Sequence, residues 1–235
     1  MAALVPDLPQ VEQHIVEITN KARQDQRLAP LKVNAILARA ARAYAERVAR
    51  SGTFSHNADG RTPAQRAESA GYKHCDIAEN LAMDQNSQGF DTGALALQAI
   101  AGWMNSPPHR ANMMRASVTE IGVGVARAPS PKPKFISVEL LGRPATEIYS
   151  FKVMNLSNAG VSYSFQGRTR ELQPGTSAVL TACSPGELVM SKLDGFLSTT
   201  TEIARTRAEN KKVYALKSTA TGGTTLEVSV HGQNP

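Results

Sequence analysis

The chain has 235 residues, 41% of them apolar, enough for one or two domains with ordinary cores. No run of about 18 apolar residues occurs, so no helix is expected to span a bilayer, and Met1-Ala2-Ala3-Leu4 is too short for the apolar region of a signal peptide. Twenty-six basic against 20 acidic residues give +6, which favours anionic surfaces such as phospholipid headgroups or cell-wall polymers; the charge is scattered, with only Lys211-Lys212 adjacent and no interleaved aromatics, which argues against nucleic acid.

Val11, Ile15, Ile18 and Ala22 recur at helical spacing and predict a first helix over residues 10–25. Asn34 is a cap for a second, whose stripe of Ile36, Leu37, Ala40, Ala41, Tyr44 and Val48 runs to Ser51-Gly52. Thr53 to Gly60 is dense in turn formers, which puts His56 in a loop. Thr62-Pro63-Ala64-Gln65 combines an N-cap, a proline at the first helical position and a capping-box glutamine, so a short helix begins there and stops at Gly71. Asp84 to Gly93 reads as a polar loop. Ala94 to Trp103 reads as a helix that Pro107-Pro108 end, with His109 just beyond. The period then changes: Glu120 to Ala126 and Phe135 to Leu141 predict two strands joined by a proline-rich loop.

After Arg143-Pro144 the composition shifts to Thr, Ser, Val, Leu and Gly in short runs, separated by turn signals such as Pro174-Gly175 and Ser184-Pro185-Gly186. Seven or so strands are expected, forming an antiparallel β-sandwich or barrel. The expected division is 1–145, helices and strands around a site, and 146–235, a small all-β domain of unassigned role. Cys75 and Cys183 fall one in each part; they have no CxxC or zinc-finger spacing, and a disulfide between them or two thiols are both open. His74 beside Cys75 does not by adjacency make a reactive dyad. His14 and His231 are expected at the surface.

Ser55-His56, Ala78-Glu79-Asn80-Leu81, Trp103 followed by Ser106-Pro107-Pro108-His109-Arg110-Ala111-Asn112, and Glu120-Ile121-Gly122-Val123-Gly124-Val125 together resemble the CAP superfamily, in its bacterial SCP-like branch, over residues 10–142. The resemblance implies an α+β fold, an α-β-α sandwich with a shallow cleft, here followed by the β-sandwich domain. It also implies cleft residues. His56 and His109 match the family's two histidines, and some members hold a divalent metal there, zinc being the cofactor to test. Glu79 matches the acid of the Glu-Asn-Leu motif. Animal members place a further glutamate a turn after the cleft tryptophan; this chain has Asn105 and Ser106 there, which leaves Glu120 as a substitute acid. Without the resemblance, the 53-residue separation of His56 and His109 does not show that they meet, and Glu79 reads as a hydrogen-bond acceptor tying loops together. Asn80 and Asn112 read as turn or cap residues and Trp103 as core.

The expected role is that of an exported protein, periplasmic or extracellular, whose cleft binds a lipid-like small molecule or a cell-envelope partner, as family members do. A metal-assisted hydrolase with Glu79 or Glu120 as general base is the alternative, and a structural or adhesive protein with a vestigial cleft is another. No GxSxG elbow or other nucleophile motif supports Ser55 or Ser106 as a nucleophile.

Overall fold

Asp7 accepts a hydrogen bond from the Gln10 amide and opens α1 (Leu8–Asp25). Asn34 accepts from the amides of Ile36 and Leu37 and opens α2 (Ala35–Ser51), which ends at Gly52 in the left-handed region, φ 70°. Both bonds of the Thr62/Gln65 capping box form at the start of α3 (Pro63–Ser69). The computed structural model describes residues 3–194 and 199–230; the expected position of His231 lies outside them. The chain divides into two compact units, Met1–Glu147 and Ile148–Pro235.

In the first unit β1 (Lys32–Val33), β2 (His74–Gln85), β3 (Glu120–Ala128) and β4 (Lys134–Pro144) form one sheet in the order β1-β3-β4-β2. β1 runs parallel to β3 and the other pairs are antiparallel. α1 and α4 (Thr92–Asn105) pack Val11, Ile15, Leu95 and Trp103 on Ala78, Val123 and Leu141 of one face. α2 and α3 pack Leu37, Tyr44 and Ala67 on Leu81, Val138 and Leu140 of the other. The expected α-β-α sandwich is therefore present. Two elements differ from the sequence reading. β2 takes in a stretch, Ile77 to Met83, given no assignment, and starts the span read as loop. Pro107 and Pro108 do more than end α4: they begin α5 (Pro107–Met113), where a missing N–H is harmless, so His109 lies on a helix.

Gly122 and Gly124 let α2 lie directly on β3. A Cβ on Gly124 would sit 2.1 Å from the Arg42 amide nitrogen, and one on Gly122 would sit 2.1 Å from that of Ala38. Those contacts are backbone and cannot swing aside. Gly124→Ala should therefore lose about 3 kcal/mol of stability in chemical denaturation, whereas Gly102→Ala, in α4 with nothing within 4 Å of the added carbon, should gain about 0.5–1 kcal/mol from helix propensity. Equal effects at the two glycines would show that the helix-to-sheet spacing is not set at Gly124.

The second unit contains β5 (Tyr149–Leu156), β6 (Val161–Phe165), β7 (Arg168–Leu172), β8 (Ser177–Ala182), β9 (Glu187–Asp194), β10 (Thr199–Arg207), β11 (Lys212–Ser218) and β12 (Thr224–Val230). They form two four-stranded sheets, β12-β11-β5-β8 and β10-β9-β6-β7. One apolar cluster draws on both, with Phe151, Val153 and Leu216 from the first meeting Val161, Phe165, Leu188 and Met190 from the second, so the unit is a sandwich. The Phe151 ring meets Phe165 edge-on at 4.9 Å and Tyr214 at 5.8 Å. Seven or so strands in an antiparallel sandwich were expected; eight occur among the described residues, and one pair, β5–β11, is parallel.

Candidate functional site

The site is assembled where the two helical layers meet the edge strand β2. Tyr44, buried in α2, fixes the loop from above: its hydroxyl donates to the Ser55 carbonyl at 2.5 Å and accepts from the Ala58 amide at 3.0 Å, which pins the backbone on both sides of His56. Alternation along β2 sends Glu79 toward the α2/α3 layer and Asn80 toward the α1/α4 layer. Glu79 is 5% exposed, and both its oxygens are occupied: Oε1 accepts from His56 Nδ1 at 2.8 Å and Oε2 accepts from Arg66 Nη2 at 2.6 Å. Arg66, itself buried on α3, also donates from Nη1 to Asp59 (3.1 Å) and to the Arg61 carbonyl (2.7 Å), and its guanidinium lies 3.4 Å over the Tyr44 ring.

α5 brings His109 to the same place from the other layer, with the two imidazole centroids 6.5 Å apart. Asn80 Nδ2 donates to the His109 carbonyl at 3.2 Å and to Glu139 Oε2 at 2.9 Å. Asn112 Nδ2 donates to Asn80 Oδ1 at 3.0 Å and to the Glu79 carbonyl at 3.2 Å. The two asparagines thus fasten α5 to β2 and are neither caps nor turn residues. Glu139, on β4, completes the network: fully buried, it accepts from Thr19 of α1 at 2.8 Å. Sequence reasoning passed over it as one letter in an apolar strand, although a carboxylate between Val138 and Leu140 was itself the signal.

The other candidates lie elsewhere. Glu120 accepts from the Tyr72 hydroxyl at 2.7 Å and from Asn34 Nδ2 at 3.1 Å, so it braces β3 against α2 instead of serving the histidines. Burial and that bond push the Tyr72 hydroxyl far above its ordinary value. Asn105 is exposed at the end of α4, in a shallow groove with Gln26, Met104 and Arg110. His74 lies 3.4 Å from Glu68. Neither Cys75 nor Cys183 is a free thiol, which removes a reactive cysteine beside His74.

The two histidines are pushed apart electrostatically. The hydrogen bond to Glu79 raises His56, with burial and Arg66 opposing; burial lowers His109, and His56 lowers it further. In an NMR titration His56 should hold its proton to higher pH than His109, and Glu79→Gln should bring His56 down while His109 moves up or stays. The reverse order would mean that the Glu79 contact does not persist in solution.

A model of the cysteine-rich secretory protein family, CAP, matches residues 16–138, over half of the chain. The chain belongs to the CAP family. The match ends short of the β unit. YkwD, an uncharacterized protein of Bacillus subtilis, is 31% identical over 120 residues, covering 51% of this chain and 44% of that protein, so the chain spans less than half of that relative. Among solved structures, the CAP domain is similar to an outer surface protein of Borrelia burgdorferi (21% identity, TM-score 0.49, covering 57% of this chain and 92% of that one). It is also similar to an extracellular SCP-domain protein of Bacillus anthracis (23% identity, TM-score 0.48, covering 61% and 45%).

The donors in the CAP domain bear on the metal that the family implies. His56 Nε2 and the ring nitrogens of His109 have no hydrogen-bond partner among the described residues, while Glu79 stands behind His56 as an orienting carboxylate does behind a metal-binding histidine. No group of three or more His, Cys, Asp or Glu arranged for a metal occurs among the described residues. The set fits an ion held by two imidazoles. It does not fit the three-ligand arrangement of catalytic zinc.

Proposed function

We propose that the CAP domain is a ligand-binding module of an exported protein, acting at the cell envelope or outside the cell through its His56–His109 face, and not a hydrolase. The observation that carries this is the saturation of Glu79. The two carboxylates offered as general base are both occupied: both oxygens of Glu79 are engaged by Arg66 and His56 in a buried position, and Glu120 is engaged by Tyr72 and Asn34. What is left open toward solvent is the outer side of two imidazoles. An oxidising compartment accords with the absence of free thiols.

A lipid-like ligand is favoured by what lies along the same strand. Met83 shares a face of β2 with Glu79, four residues and about 13 Å away. It is 50% exposed and, with Phe54 at 45%, Val48 and Ile136, forms the apolar part of a pocket that Arg50, Ser51 and Lys134 also line. An acyl tail in that pocket and a polar head at His56 match the two chemistries. A fluorescent fatty acid titrated into the full chain should bind saturably and be weakened about tenfold by Met83→Asp. No saturable binding in the wild type would refute the proposal. The facing imidazoles of His56, oriented by Glu79, and His109 favour a second reading, divalent metal binding: calorimetry of zinc into metal-stripped protein should give one site that is lost in His56→Ala/His109→Ala.

A further inference from the structure

A second polar site, lined by Arg66 but by neither histidine, lies in a groove of about 220 Å³ between α2 and α3. Its floor carries the small side chains of Ala40, Ala43 and Ala70, and it is lined as well by Arg47, Arg61 and the Asp59–Arg66 ion pair. Arg39, one turn before Ala43 on the same stripe of α2, reaches the rim and donates to the Ala70 carbonyl at 3.4 Å. The acids close by are already engaged. Asp59 is held by Arg66 at 3.1 Å, Glu46 lies 3.4 Å from Arg50, and Glu68 lies 3.4 Å from His74. Arg66 is balanced between Asp59 and Glu79. The guanidiniums of Arg47 and Arg61 have neither an ion-pair nor a hydrogen-bond partner among the described residues. Two unpaired guanidiniums therefore line one groove whose alanine side chains are too small to cover them, an arrangement that a bound anion would satisfy.

We propose that this groove binds a phosphate group. Arg47 and Arg61 project from different elements, so each presents its own fork of N–H donors. A carboxylate presents one edge of two oxygens, whereas a tetrahedral phosphate presents several such edges and can meet both forks bidentately. The alanine floor lets the anion approach the helix surface closely, and Arg66, fixed by its two carboxylates, forms a rigid wall. The phosphate is either a free ion or a lipid headgroup. The site does not depend on the histidine pair or on the lipid reading above.

The test is calorimetric titration of inorganic phosphate into the full chain at physiological salt, with sedimentation of vesicles of phosphatidylglycerol and phosphatidylcholine against phosphatidylcholine alone. Three variants accompany the wild type, each checked for folding by circular dichroism: Arg47→Gln/Arg61→Gln, the histidine double variant, and Arg168→Gln/Arg170→Gln. The last removes the same charge from exposed positions of β7. Saturable binding weakened about tenfold or more in the groove variant, and kept in the other two, supports the site. Binding of phosphate and anionic vesicles alike assigns it to any phosphate, and binding of the vesicles alone assigns it to the headgroup. Equal loss in the β7 variant reduces the effect to net charge and overturns the proposal. Loss in the histidine variant places the anion at the imidazoles and overturns it too, as does absence of binding by both probes.

Discussion

Replacing Arg66 by methionine should remove about 3–5 kcal/mol of folding stability, because it leaves the Glu79 carboxylate buried without its strongest partner. Methionine keeps much of the packing against Tyr44, so the loss reports on charge more than on volume. Glu79 would retain only His56, whose imidazole is half exposed, while Asp59 and the Arg61 carbonyl would lose their donor. Converting Glu79 as well, in Arg66→Met/Glu79→Gln, should restore part of the loss, since the neutral amide has no buried charge to leave unpaired. Urea midpoints at constant m-value give both numbers. A second readout separates this from general loosening. Arg66 holds the His56 pKa down while Glu79 raises it, so His56 should titrate higher in Arg66→Met and lower in Glu79→Gln. A loss under about 1 kcal/mol with an unmoved His56 would mean that the loop lifts and water reaches Glu79.

The sequence carried the helices well because each has a local signature: the Asn34 cap, the Thr62/Gln65 box and the Gly52 stop all depend on a few neighbouring residues, and all form. β2 lacked one. Its two faces are both covered, and it places Glu79 and Asn80 in succession, one toward each layer, so no apolar alternation survives to be read. The paired prolines were ambiguous for a similar reason, since the same residue that stops one helix suits the first turn of the next. His56, Glu79 and His109 were legible through the order of their motifs. What the order could not give is which acid meets which base. Glu120 looked like a substitute acid in sequence, and the fold gives it to Tyr72 and Asn34 instead. In the β unit the strands were visible, while the parallel β5–β11 pair joins segments about sixty residues apart and leaves no local trace.

Glu139 should make the domain less stable as pH rises through neutrality, the opposite of what an ordinary ion-paired carboxylate does. Burial pushes its pKa from 4.5 up to about 7, against the opposing pull of Thr19, Asn80 and Arg23. The folded state therefore holds a proton that the unfolded chain has released, and the stability present below pH 4.5 is lost progressively as pH rises through 7. The span corresponds to about 3 kcal/mol at most. His56, also raised, adds to the decline in the same direction. Glu139→Gln should flatten it, because an amide can donate to the Thr19 hydroxyl and accept from Asn80 without ionising. Arg23, lowered by burial and raised by Glu139, would lose that attraction but keep the carbonyls of Ala29, Met113 and Arg115, so the gain at pH 8 should fall short of the full span. Denaturation midpoints of both proteins from pH 4 to pH 9 decide it, and an unchanged slope in the variant would put the proton elsewhere. Asn80 joins Glu139 to the backbone of His109, so ionisation at this one carboxylate should also appear as faster amide exchange along α5, the helix that carries one of the two imidazoles.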